Sequence, residues 1–140
     1  MLRVVLDLNL LISAALTPKG EARAILHQAR VRYHLLLSNF MYERLTLVLR
    51  YPHIQAKYPQ LTEDAIAHYL TYLRGLLTPV VERTTVTASS DDEDNRVLAA
   101  AVDGKAEYLV TRNSAHFPTA YEGIKIISPY DFRQRLLQSE

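Results

Sequence analysis

A chain of 140 residues, 49% hydrophobic and 22% charged, is long enough to bury a substantial core, and 1–140 is most simply one domain. The absence of cysteine excludes disulfides, thiol catalysis and cysteine-bound zinc, and it suits a reducing compartment. A formal net charge of +1 does not announce a nucleic-acid binder, although it leaves room for local basic patches.

The chain opens with Leu2-Arg3-Val4-Val5-Leu6 and closes that run on Asp7. A Val- and Leu-rich stretch ending in a carboxylate reads as a buried strand whose last residue emerges at its C-terminal edge. The segment from Met1 to Leu16 is apolar enough to suggest a signal peptide, but Asp7 and Asn9 interrupt it. No stretch approaches the roughly 20 apolar residues of a membrane span, so the expected setting is cytoplasmic with no membrane partner. Residues 9–16 read as a short helix ending near Thr17-Pro18-Lys19-Gly20, and 21–31 as a second helix with Ala22, Ile25, Leu26 and Ala29 at helical spacing. Residues 33–37 form a strand, and Ser38 or Asn39 caps a helix that stops before Pro52.

Residues 53–60 are expected as a loop. Thr62 opens a long helix with Ile66, Tyr69, Leu70, Leu73 and Leu76-Leu77 on its apolar face, and Pro79 ends it. Val80-Val81 suggests a short strand, and 84–90 a polar connection. A helix over 94–102, closed by Gly104, is preceded by Asp91-Asp92-Glu93-Asp94, the densest acidic run in the chain. Strands follow at 108–111 and 124–127, and Ser128-Pro129 starts a final helix. Strand and helix alternate, which predicts an α/β fold with a mostly parallel sheet covered on both faces.

The same acidic run serves two readings. Acidic residues favour helix N-termini through the dipole, and a carboxylate after a first strand can simply cap the next helix. In open α/β sheets, however, ligands bind outside the carboxyl ends of the strands, where Asp7, the acidic run and Thr111-Arg112-Asn113 would all emerge. Carboxylates gathered from distant segments suit a hard divalent cation. Asp7-Leu8-Asn9 also evokes the Asp-x-Asp nucleophile motif of haloacid-dehalogenase phosphatases, but Asn9 stands where the proton-shuttling aspartate belongs. Four glycines supply no phosphate loop, and the five histidines form no ligand pair at metal-binding spacing; His116 is a weak candidate near the site.

Four segments in order resemble the PIN-domain family, and within it the toxin components of toxin–antitoxin systems similar to VapC-type ribonucleases. Arg3-Val4-Val5-Leu6-Asp7-Leu8-Asn9 looks like "VVLDTNVLVSA", and Asp91-Asp92-Glu93-Asp94-Asn95 like "DPDDNKFL". Tyr108-Leu109-Val110-Thr111-Arg112-Asn113 resembles "ADYLVTGD" or its "TRN" form, and Ile127-Ser128-Pro129-Tyr130-Asp131-Phe132 a terminal "I-x-T/S-P-x-x-F" element. The resemblance implies a three-layer α/β/α fold, and acidic residues holding Mg²⁺ or Mn²⁺ to hydrolyse RNA phosphodiesters. It also implies a homodimer and a cognate antitoxin. Asp7 and Asp94 match the family's first and third acidic positions and are the expected metal ligands.

Two positions depart from that pattern. The second acidic slot, on the helix after the second strand, holds Arg44, with Glu43 one residue earlier; a one-residue shift turns a helical side chain by about 100°. Asn113 occupies the fourth position with a neutral oxygen. Glu43, the one acid on its helix, is expected to complete the catalytic set with Asp7, Asp94 and Asn113, while Asn9, Arg44, Thr111 and Arg112 are candidate RNA contacts. Arg44 and Asn113 keep open the alternative of a catalytically impaired RNA- or protein-binding module.

Overall fold

The computed structural model describes residues 1–138. The first unit runs β1 (Leu2–Leu6), α1 (Leu8–Leu16), α2 (Glu21–Leu26), β2 (Tyr33–Ser38) and α3 (Asn39–Val48). Two helices, α4 (Pro52–Lys57) and α5 (Glu63–Leu76), lead to β3 (Leu77–Val80), and α6 (Asp92–Asp103) leads to β4 (Tyr108–Val110). The last elements are β5 (Ala120–Tyr121), β6 (Ile124–Ile127) and α7 (Pro129–Gln138). The sheet order is β3-β2-β1-β4-β6-β5, parallel except for the β5–β6 pair. With its flanking helices this is the expected three-layer α/β/α arrangement.

Burial explains the strands. Val4, Val5 and Leu6 of β1, Leu35 to Leu37 of β2, and Leu109 and Val110 of β4 are all buried, as central strands covered on both faces require. Tyr33 enters this core with its ring edge-on to Phe132 at 5.2 Å, and its hydroxyl donates to the Ile25 carbonyl at 2.9 Å. Strand order reverses between β1 and β4: β2 and β3 build outward on one side, β4 and β6 on the other. The crevice outside their carboxyl ends is the topological switch point, where such sheets bind ligands.

Several boundaries differ from expectation for local reasons. The second helix ends at Leu26, because the chain turns through Arg30 at φ 70 and bonds back to Tyr33. The expected loop at 53–60 contains α4, with Pro52 at its first turn, where the missing N–H costs nothing. Pro79 does not merely end a helix: it lies within β3, an edge strand where proline is tolerated, while Val81 falls outside the strand. The two-residue β5 had no alternating pattern to announce it. Ser38 rather than Asn39 caps α3, accepting from the Met41 amide at 3.3 Å. Ser128 takes the same role for α7, accepting from the Asp131 amide at 3.0 Å. Gly104 ends α6 against the sheet, where a Cβ would lie 2.9 Å from both Leu36 Cδ1 and Val80 Cγ2.

Candidate active site

Asp7 leaves β1 at the switch point. Its amide completes the ladder to the Val110 carbonyl at 2.9 Å, and its own carbonyl accepts the amides of Leu10 and Leu11 at the start of α1. The side chain makes no capping bond to that helix, so the simple capping role does not account for it. Nor does the carboxylate stand out in solvent: Asp7 is 4% exposed. The β1–β4 register, Leu6 beside Val110, brings Thr111 alongside, and its Oγ1 donates to Asp7 Oδ2 at 2.7 Å. Burial pushes the Asp7 carboxyl above its ordinary value of 3.8, against the lowering pull of the Thr111 hydroxyl and the Leu8 amide; Glu93 adds to the rise and His116 opposes it.

The acidic run divides its labour because successive side chains on a helix diverge by about 100°. Asp91 caps α6, accepting the Asp94 amide at 3.0 Å. Glu93 turns toward α3, where Arg44 Nε donates to its Oε1 at 3.1 Å. Asp94 turns toward Asp7. Its side chain is 15% exposed, its Oδ2 is buried without a hydrogen-bond partner, and His116 Nδ1 lies 3.9 Å from that oxygen. Burial pushes the Asp94 carboxyl up to about 6, reinforced by Asp91 and then Asp7. Asp94 and His116 also line a surface cavity of about 560 Å³ with Ser89 and Phe117. Asn95 holds the approach to α6 through two 2.9 Å bonds with the backbone of Ser89.

The structure brings Asp7 and Asp94 together but puts Glu43 elsewhere. Glu43 is exposed and lines a different cavity, with Phe40 and Arg96, because α3 is regular and carries no local offset. Arg44 is the residue that faces α6; besides Glu93 it donates through Nη1 to the Tyr51 hydroxyl at 3.2 Å. Thr111 is 1% exposed and commits its hydroxyl to Asp7, so it positions a carboxylate and is not open to RNA. Its Oγ1 also accepts the Asn113 amide at 2.9 Å, which holds half-buried Asn113 beside the site. Asn9 is exposed in the first turn of α1. Arg112 reaches Ser13 Oγ at 3.1 Å and Glu21 at 3.7 Å.

Sequence reasoning missed Glu93, whose charge acts on both Asp7 and Asp94. It was hidden within a run in which every acid looked alike, and the signal lay in its helical phase relative to Asp94. His116 acts on the same two carboxylates. Among the described residues, no three or more histidine, aspartate or glutamate side chains are grouped so as to hold one metal ion.

The PIN domain family model matches residues 3–115. The chain belongs to the PIN domain family. The matched span carries β1, α6 and β4, and so all the carboxylates gathered at the switch point. Two solved structures share the fold seen here. One is VapBC2 from Rickettsia felis bound to a DNA fragment from its promoter, at TM-score 0.63 and 11% identity, covering 91% of this chain and 98% of that one. The other is FitAcB from Neisseria gonorrhoeae, at TM-score 0.59 and 19% identity, with the same two coverages. No curated protein matches this PIN-domain chain. Among the described residues no helix is long and apolar enough to cross a membrane.

Proposed function

We propose that this PIN-domain chain is an Mg²⁺- or Mn²⁺-dependent endoribonuclease, the toxin component of a toxin–antitoxin system, that hydrolyses RNA phosphodiesters. The observation that carries this reading is the buried, unpartnered Oδ2 of Asp94 beside Asp7. A buried acceptor without a donor needs a partner, and two carboxylates held above their ordinary pKa by burial, Asp94 also by Asp7, need more positive charge than His116 supplies. A divalent cation supplies both needs. Two carboxylates with several waters suit Mg²⁺, which seldom uses an all-protein cage. Asp7 and Asp94 would hold the ion, and Asn113 could position a water at its edge. When bound, the ion would supply an activated water and neutralise charge on the phosphate under attack.

The residues themselves have separable tasks. Thr111 fixes one oxygen of Asp7, leaving the other to the ligand. Arg44 sits beside the carboxylates as a cation for a backbone phosphate, a contact that positions RNA without reading its sequence. Arg112 and Asn9 extend the polar rim. The antitoxin and a second copy of the chain are the proposed protein partners.

The Arg44–Glu93 pair favours a second reading, an impaired RNA- or protein-binding module, because it sets a cation where the resemblance expects an acid. Cleavage of single-stranded RNA by wild type and Asp7→Asn, in Mn²⁺ and in EDTA, separates the two. The ribonuclease reading expects cleavage by wild type in Mn²⁺ alone. RNA binding without cleavage, or equal cleavage by both proteins, refutes it.

A further inference from the structure

Along the same carboxyl edge, one to two strands away from Asp7, lies a cavity that the catalytic reading does not use. It spans about 660 Å³, within the usual range for small-molecule sites, and is formed where β2 and β3 end beneath α3 and α6. Its apolar walls come from Leu77, Pro79 and Val80 together with Phe40, whose ring lies 4.0 Å beneath the Arg96 guanidinium. Glu82 lines it too: Oε2 accepts from Arg96 Nε at 2.5 Å, while Oε1 is buried with no hydrogen-bond partner. A planar cation–aromatic stack, flat apolar walls and an unmet acceptor fit a flat, partly apolar ligand that carries an N–H donor.

We propose that this cavity is a nucleobase subsite that takes an unpaired base with an exocyclic amine, as cytosine, adenine and guanine have and uracil lacks, from the RNA strand whose phosphate lies at Asp7 and Asp94. The inference rests on the ribonuclease reading for the identity of that strand. Single-stranded RNA splays its bases into such pockets, where they stack on aromatic and guanidinium planes and are read along their edges. Carboxylates accept from the cytosine amine. Uracil offers an imino N–H flanked by two carbonyl oxygens, which a carboxylate repels. Oε1 has no existing bond to give up when a base N–H approaches it. Placement follows from α6: Asp94 faces Asp7, Glu93 meets Arg44, and Arg96 borders the cavity, so a strand crossing Arg44 passes from one site to the other.

Binding of fluorescent cytidine, adenosine and uridine hexanucleotides in EDTA tests the proposal without cleavage. Wild type should bind the first two about tenfold more tightly than the uridine oligomer, the size of one base-edge contact. In Glu82→Gln the amide oxygen stays on Arg96 and an NH₂ replaces Oε1, so the preference should disappear or turn toward uridine. A second variant, Val81→Trp, places a bulky ring at the exposed rim and should erase the preference by occupancy. Equal affinities in wild type, or a preference that survives in both folded variants, overturn the subsite. So does binding of an arginine-bearing peptide with no oligonucleotide binding, which would assign the cavity to a protein partner. Mn²⁺-dependent cleavage without base preference removes the subsite and spares the ribonuclease reading; base preference without cleavage does the reverse.

Discussion

Replacing Asp94 by Asn should make the metal-free protein more stable near neutral pH. The carboxyl is pushed from 3.8 to about 6 on folding, chiefly by burial and then by Asp91 and Asp7. At about 1.4 kcal/mol per pH unit, the ionised form is disfavoured by about 3 kcal/mol. Two effects shrink the gain. Solvent at the partly open side screens the repulsion, and the N-terminus of α6 favours a negative charge by about 0.5 kcal/mol. A net gain of about 1–2 kcal/mol remains, or a rise of roughly 4–8 °C in Tm for a chain of this size. The sign follows from a folded-state pKa above the unfolded one: the penalty is complete above about pH 6, fades as pH falls through that value, and is gone below 3.8. Thermal unfolding of both proteins in EDTA at about pH 7.5 and pH 4 reads it. Adding Mn²⁺ should reverse the order at the higher pH, since an ion bound to the native state stabilises wild type by mass action. A mutant no more stable than wild type at pH 7.5, or an advantage equal at both values, would refute the reasoning.

Thr111→Val removes the donor to Asp7 and the acceptor for the Asn113 amide; it should cost about 1–2 kcal/mol in urea unfolding and weaken Mn²⁺ binding. An unchanged midpoint would show that the pair contributes nothing. Arg44→Glu exchanges a cation 3.1 Å from Glu93 for a carboxylate and should raise Mn²⁺ affinity on the order of tenfold by calorimetry. No gain, with cleavage already present in wild type, would show that Arg44 does not weaken the site. Asp103→Asn should destabilise the protein in full above about pH 4 and progressively less below it. Burial raises that carboxyl, but the amides of Arg83 and Thr84 and the Thr84 hydroxyl outweigh it and hold it below 3.8, so its contribution is lost as pH falls through the lowered value. Denaturant midpoints across pH check this, and a constant difference would contradict it.

The architecture was legible because strand runs such as Leu2–Leu6 and Leu35–Leu37 are apolar throughout and lie between helical periods. Asp7 and Asp94 were legible as ends of those patterns. The burial of Asp7 was not: a strand-end carboxylate reads as solvent-facing until the register of β4 sets Thr111 beside it. The choice between Glu43 and Arg44 also escaped, because it depends on the phase of α3 against α6, and no local pattern carries the angle between two helices. Three short segments, α4, β3 and the end of α2, depart from local expectation where one proline or one positive φ outweighs propensity, and the two-residue β5 is too short to carry a pattern.

Both rims of the sheet are closed to strand addition. On one side β3 carries Pro79 in a run of four residues, and on the other β5 is two residues long and bends back antiparallel. Neither offers an extended row of free amides and carbonyls as a template for another chain. A second copy or a partner, if the chain takes one, would then be met by side chains on helix and loop surfaces rather than by backbone pairing. Such contacts can diverge in sequence without touching the sheet that holds the carboxylates in register.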